Sequence, residues 1–215
     1  MKRDAEMKEI MRAREIDCLL FDLGGVFIEW DGIVPLINLT DGRLTPDQAR
    51  RFWLESPWVR KFETGRCTPG DFGRGVVDEL SLRIEPEAFL AAFYSWDKGP
   101  LPGAKELVLA LKERYPLACL SNNNVLHWDN PALQAFVSPF DPCVVSHQVG
   151  LVKPDHAIYE LAIRRIGKPA RKIVYFDDNP ECVDAARDAG LQAYQAKGVD
   201  AVRARLAQLS IPLGP

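Results

Sequence analysis

The stretch IDCLLFDLGGVFIEW, residues 16–30, decides how the rest of the chain is read. Cys18-Leu19-Leu20-Phe21 is a short apolar run that closes on one acid, Asp22. Gly24 and Gly25 follow, then a second apolar run, Val26-Phe27-Ile28. A short apolar run closed by glycines suits a strand buried on both faces of a parallel sheet. Open α/β sheets take their ligands beyond the carboxyl ends of such strands. An acid at that point packs poorly and is well placed for chemistry. The plainer alternative is an Asp that only caps a turn.

Downstream, the text changes character twice. Between about residues 46 and 96 no strand-like run occurs. Thr45-Pro46, Ser56-Pro57, Thr68-Pro69 and Glu85-Pro86 each read as a helix start, with a capping or acidic residue before a first-turn proline. Gly65 stops the second of these helices. From Leu101 onward helix and strand alternate. Helices are expected over 102–115, to about Phe136, and over 154–167, 180–190 and 199–209. Strands are expected over 117–120, 143–145, 172–176 and 191–194. Alternation of this kind implies a parallel sheet with helices on both faces and right-handed connections. The expected fold is therefore an α/β, Rossmann-like sheet formed by 16–30 and 97–215. A small all-helical cap, 31–96, is inserted after the first strand.

Composition narrows the class. The net charge is −3, from 27 basic and 30 acidic residues, which gives no electrostatic footprint for nucleic acid or an anionic membrane. No apolar run reaches the roughly 20 residues of a membrane span. The opening, MKRDAEMKEIMRARE, is charged and lacks the apolar centre of a signal peptide. It reads as a short exposed helix or a frayed extension over 1–15, and Met7 or Met11 could be the true start. The five cysteines have no C-x-x-C spacing, and the three histidines have no metal-ligand spacing. A cytoplasmic protein is expected, as a monomer or homodimer.

The polar residues at the strand ends carry the chemistry. The first strand ends on Asp22, the second on Ser121-Asn122 and the fourth on Asp177-Asp178, and the loop after the third carries Lys153. Each is ordinary alone. Ser-Asn-Asn-Asn is a good turn, and paired Asp residues often open a helix. Together they supply what phosphoryl transfer needs. Asp22 and Asp178 could hold a hard divalent cation through oxygen, and one carboxylate could attack phosphorus. Lys153, the Ser121 hydroxyl and backbone amides could stabilise the equatorial oxygens.

In order along the chain, FDLGGV, LSNNN, GLVKPD and VYFDDNPECVDAARDAG resemble the four motifs of the haloacid dehalogenase (HAD) superfamily. The resemblance spans about residues 16–197. Within it, FDLGGV, the Phe62-Glu63-Thr64-Gly65 turn, SNNNVLHW and YFDDN are similar to bacterial α-D-glucose-1-phosphate phosphatases. The resemblance implies a sheet in which the first strand lies between the second and the fourth. It implies Asp22 as a nucleophile that forms an aspartyl-phosphate. Mg²⁺ would be held by Asp22, the Gly24 carbonyl and Asp178, with Asp177 beside it through water. Ser121, Asn122, Lys153 and Gly25 would bind phosphate, and Asp155 would orient Lys153. The implied substrate is a small phosphorylated metabolite, a sugar phosphate first.

One position departs from the pattern. Most phosphatases of the superfamily carry a second Asp two residues after the nucleophile, as general acid and base, and here that residue is Gly24. Such catalysis contributes roughly 10²–10⁴-fold in rate. His127, just after the second motif, is the expected substitute, with Glu29 and Asp31 behind it. The gap supports a second reading, a low-turnover phosphate-ligand-binding or regulatory protein. A third, 2-haloacid dehalogenase, fits the acidic Asp177-Asp178 pair poorly. Among the tryptophans, Trp53 and Trp96 are expected in the cap core, while Trp30 and Trp128 could line the pocket mouth. The basic residues Arg43, Arg50, Arg51, Arg60, Lys61 and Arg66 form a solvated face from which one or two could grip a second anionic group.

Overall fold

The structure is a computed structural model and describes residues 16–213, so the expectation for 1–15 lies outside the described residues. Strand β1 (Cys18–Phe21) leads into a tight turn and then β2 (Ile28–Trp30). The inserted segment carries α1 (Val34–Leu39), α2 (Pro46–Glu55), α3 (Pro57–Glu63), α4 (Pro69–Leu80) and α5 (Pro86–Tyr94). The chain returns through β3 (Asp97–Pro100) and continues with α6 (Ala104–Lys112), β4 (Leu117–Ser121), α7 (Val125–Trp128) and α8 (Pro131–Val137). Then come β5 (Cys143–Val145), α9 (Ser146–Val149), α10 (His156–Ile166) and β6 (Ile173–Asp177). The last elements are α11 (Pro180–Asp188), β7 (Gln192–Gln195) and α12 (Gly198–Gln208).

The main sheet has five strands in the order β5-β4-β1-β6-β7, all parallel, with β1 at its centre. The alternation of side chains along each strand divides the core into two layers. Leu19, Phe21, Leu117, Cys119, Val174 and Phe176 face α6, α8 and α12. Cys18, Leu20, Ala118, Leu120, Ile173 and Tyr175 face α10 and α11. Each fully buried Leu, Ile or Phe contributes roughly 1.5–3 kcal/mol, so both layers favour this one register. Among the described residues no helix is long and apolar enough to cross a membrane.

The helical segment has a third apolar cluster of its own, built on Phe62, Phe72, Phe89, Phe93 and Trp96. Phe62 and Phe72 stack with ring centroids 4.3 Å apart. Gly75 lets the Trp58 ring lie against α4, because a Cβ there would lie 2.1 Å from that ring. The helix starts expected at Thr45, Ser56 and Thr68 are true N-caps, and Thr45 and Thr68 form capping boxes. Glu85 precedes α5 without a side-chain cap bond.

Two local expectations change, and the second apolar run resolves largely into a turn. Of the second apolar run only Ile28 is strand, since Val26, Phe27 and Ile28 all turn their N–H groups back to the Leu23 carbonyl. The strand β2 pairs antiparallel with β3, and Asp31 N–H to Trp96 O at 3.0 Å extends this ribbon. Both ends of the helical segment therefore leave from one two-stranded stalk. The helix expected to run to Phe136 breaks at Asp129-Asn130, where Asn130 caps α8 before Pro131. Finally, β6 runs one residue further than expected, so Asp177 is the last residue of the strand.

Candidate active site

Asp22 directly follows β1 at the sheet centre, where its N–H donates to the Phe176 carbonyl at 2.8 Å. This aligns the ends of β1 and β6 and brings Asp22, Asp177 and Asp178 together. One oxygen from each carboxylate lies within 4.8 Å of the others. An all-oxygen donor set of this kind fits a hard divalent cation such as Mg²⁺. The Gly24–Ile28 bridge is built on the Gly25 and Ile28 N–H groups, so it leaves the Gly24 carbonyl uncommitted.

Lys153 is the counter-charge. Its Nζ lies 2.9 Å from Asp22 Oδ1 and 2.7 Å from Asp177 Oδ2, and it donates to the Tyr175 hydroxyl at 3.2 Å. Tyr175 in turn donates to Asp177, whose other oxygen accepts from Asn179 N–H at 2.8 Å. Asp177 thus has one oxygen committed to Lys153 and Tyr175 and the other to Asn179, which leaves Asp178 as the freer carboxylate. Asn122 fixes the lysine backbone from the other side. Its amide donates to Lys153 O at 3.0 Å, and its carbonyl accepts from Lys153 N–H at 2.8 Å. Ser121 is buried at the end of β4 beside this clamp.

Burial pushes the Asp22 carboxyl up to about 7, with Lys153 opposing and Asp177 and Asp178 reinforcing the rise. Burial acts the other way on Lys153, but Asp177 and Asp22 together keep it well above its ordinary value, so it stays charged. Asp178 is also raised, by burial first and then by Asp177.

These residues open into a cavity of about 670 Å³ between the carboxyl ends of the strands and the helical segment. Trp30, Ile33, Trp53, Phe93 and Leu133 contribute its apolar wall, and Glu63, Arg50 and His127 also reach it. Trp53 has its indole N–H committed to Gly32 O at 3.0 Å and meets Trp30 edge to face.

Several sequence expectations are corrected here. His127 does not offer a free ring nitrogen. Its Nε2 meets the Phe93 carbonyl at 2.9 Å, its Nδ1 faces the Asn124 amide at 3.3 Å, and its ring lies against Phe93. Burial lowers its pKa, so it is a neutral packing residue between core and helical segment. Gly25 does not present its amide to a ligand, because that N–H donates to Ile28 O at 2.9 Å. Gly25 is needed for its left-handed backbone, and because a Cβ there would lie 2.4 Å from Asp178 Oδ2. Asp155 pairs with Arg60 rather than with Lys153. Trp128 packs in the main core rather than at the pocket mouth, whereas Trp53 packs against the core of the segment as expected and also reaches the cavity. Of the basic residues, Arg50 lines the cavity and Arg43 is bound to the Leu80 and Ser81 carbonyls.

Sequence reasoning missed two residues. Tyr175 had a signal, since it lies two before Asp177 on a strand and so shares its face. Glu63 had a weaker one, as part of the Phe62–Gly65 turn.

Comparison with known proteins gives the family and the fold. The family description "haloacid dehalogenase-like hydrolase" matches residues 16–190, and the chain belongs to that family. D-ribitol-5-phosphate phosphatase of Bacteroides thetaiotaomicron is 23% identical over 191 residues, covering 82% of this chain and 90% of that one. A HAD family enzyme from the same organism, solved with magnesium and inorganic phosphate, superposes with a TM-score of 0.67 at 24% identity, covering 85% of this chain and 94% of that one. A HAD-like hydrolase from Porphyromonas gingivalis gives 0.73 at 21% identity, covering 91% and 98%. At these identities the solved structures speak for the fold alone.

Proposed function

We propose that this enzyme is a Mg²⁺-dependent phosphatase that hydrolyses small phosphorylated metabolites through an aspartyl-phosphate on Asp22. The observation that carries the reading is the buried Lys153 ammonium held between Asp22 and Asp177 at 2.9 and 2.7 Å. A dehydrated cation fixed beside a carboxylate nucleophile suits a dianionic phosphoryl group. The phosphatase names among the relatives support the same reaction class.

Asp22 attacks phosphorus through the carboxylate oxygen not engaged by Lys153, and the leaving oxygen departs toward the cavity. Lys153, Ser121 Oγ and the Asn122 N–H stabilise the equatorial oxygens. Asp22, Asp178 and the Gly24 carbonyl would hold Mg²⁺, with Asp177 behind a water, and the cation would offset phosphate charge against the carboxylates. Water then releases phosphate from Asp22. The helical segment acts as a cap that excludes bulk water while this happens. A sugar phosphate is the first class to test, because the Trp30 and Trp53 faces suit a ring.

A panel of phosphorylated metabolites, assayed with Mg²⁺ and with a chelator, tests the proposal. Asp22→Asn is expected to lose at least 10³-fold in kcat, about 4 kcal/mol of barrier, with an unchanged circular dichroism spectrum. Retained turnover in that variant would remove Asp22 as nucleophile. A folded wild type that binds phosphate but releases none from any ester would favour the low-turnover binding reading.

A further inference from the structure

The mechanism so far lacks a group to protonate the leaving oxygen and to activate water, since residue 24 has no side chain and both His127 ring nitrogens are engaged. We propose that Glu63, carried on the cap, is the general acid and base of the reaction. This rests on the aspartyl-phosphate reading above.

Glu63 is the last residue of α3 and lines the same cavity as Asp22, Gly24 and Lys153. Its position is fixed from both sides. One turn earlier, Arg60 pairs with Asp155, two residues beyond Lys153. Two residues later, Gly65 turns the chain at φ +67° so close to α9 that a Cβ would lie 2.5 Å from the His147 carbonyl. Between these anchors the buried Thr64 donates its hydroxyl back to Arg60 O. Among the described residues no donor hydrogen-bonds the Glu63 carboxylate, whereas the other polar side chains near it are committed. Lys153 is taken by Asp22, Asp177 and Tyr175, and Arg60 by Asp155.

Burial pushes the Glu63 carboxyl up to about 8, with Lys153 opposing, Asp22 adding to the rise and Arg60 opposing. Asp155 is itself paired with Arg60, and His147 presents a backbone carbonyl beneath Gly65. The acid is therefore protonated near neutral pH, as a proton donor to a leaving alkoxide must be.

The steps balance. In the first, the Asp22–phosphorus bond forms, the ester P–O bond breaks, and the Glu63 proton passes to the leaving oxygen. In the second, Glu63 takes a proton from water, the water oxygen bonds to phosphorus, and the Asp22–phosphorus bond breaks. Glu63 ends protonated and inorganic phosphate leaves.

Rapid-quench kinetics with p-nitrophenyl phosphate, whose leaving group needs no proton, separate the two steps. Glu63→Gln is expected to form phosphoenzyme at close to the wild-type rate and to hydrolyse it roughly 10²–10³-fold more slowly. With glycerol 1-phosphate, an alkyl ester, the same variant is expected to lose phosphoenzyme formation as well. Wild-type hydrolysis of the phosphoenzyme in Glu63→Gln overturns the assignment and leaves Asp22 untouched. Absence of any Asp22-dependent phosphoenzyme in the wild type removes the underlying reading and this one with it. If Glu63→Gln does not fold, the wild type still decides. Its phosphoenzyme hydrolysis must accelerate between pH 6 and 9 as the base form appears, and a flat profile overturns the proposal.

Discussion

At the scale of single residues, the site is organised by how few groups Lys153 has to choose between. It is 5% exposed, and each partner named for its ammonium is itself buried. Tyr175 is the neutral member, accepting from Lys153 and donating to Asp177. Tyr175→Phe keeps the ring and removes both bonds. Unfolding in urea is expected to show a loss of about 1.5–3 kcal/mol, the range for hydrogen bonds to charged groups. Because Lys153 then sits less firmly against Asp22, kcat should fall about 10-fold, or about 1.4 kcal/mol of barrier. Gly24 offers the opposite experiment. A Cβ built there meets nothing within 4 Å, so packing does not forbid the missing Asp. Gly24→Asp in the Glu63→Gln background should restore hydrolysis of an alkyl phosphate by about 10-fold or more. No gain in steady-state phosphate release would mean that residue 24 does not face the leaving oxygen. That Asp22, Ser121, Lys153 and Asp178 meet at one cavity was legible in the sequence because each ends a strand or sits in a strand-end loop. Glu63 was not, because its role depends on a contact between elements that have no sequence adjacency. His127 misled for the same reason, since nothing near it in sequence foretells that Phe93 O takes its Nε2.

At the scale of elements, the cap is held on the core by more than its stalk. Helix α3 touches the core through Arg60–Asp155 and through the Gly65 turn against α9. The salt bridge is exposed, with side-chain exposures of 54% and 40%, so it contributes little to stability. The Gly65 turn matters more. Gly65→Ala would place a methyl 2.5 Å from a backbone carbonyl in a left-handed conformation, and neither can relax cheaply. The expected cost is about 1–3 kcal/mol in urea unfolding, with kcat/KM falling as α3 and Glu63 are displaced. A variant as stable and active as wild type would show that the cap tolerates a shift at this seam. Three proline-led helix starts were legible because capping chemistry is local, and the fourth, after Glu85, was legible from its first-turn proline alone. The β2–β3 ribbon was not. Asp97-Lys98-Gly99-Pro100 has no strand-forming residue, and its pairing is dictated by the cap's need to leave and return at one point.

At the scale of the whole molecule, the fold carries buried negative charge that a cation would relieve, and this makes stability depend on pH and metal together. Glu63 and Asp22 have native values of about 8 and 7, against unfolded values of 4.5 and 3.8. For both the native state binds protons more tightly than the unfolded chain. The stability they contribute is complete below about pH 4 and is lost as pH rises through 7 and 8. Without metal, the free energy of unfolding should therefore fall between pH 5 and 8, with a slope of up to about 1.4 kcal/mol per pH unit for each group that is ionised only in the unfolded state. Mg²⁺ held at this cluster would bind only the ionised carboxylates of the native state, so it should stabilise most where the metal-free protein is weakest. At a hundredfold excess over Kd the gain is about 2.7 kcal/mol. For a chain of this size that is a rise in Tm of roughly 5–10 °C. The check is a thermal melt at pH 5.5 and pH 8, with Mg²⁺ and with a chelator, on wild type and Asp178→Asn. The Mg²⁺ shift is expected to be larger at pH 8 than at pH 5.5 and to vanish in the variant. A shift of equal size at both pH values, or one that survives Asp178→Asn, would place the cation elsewhere than at Asp22, Asp177 and Asp178.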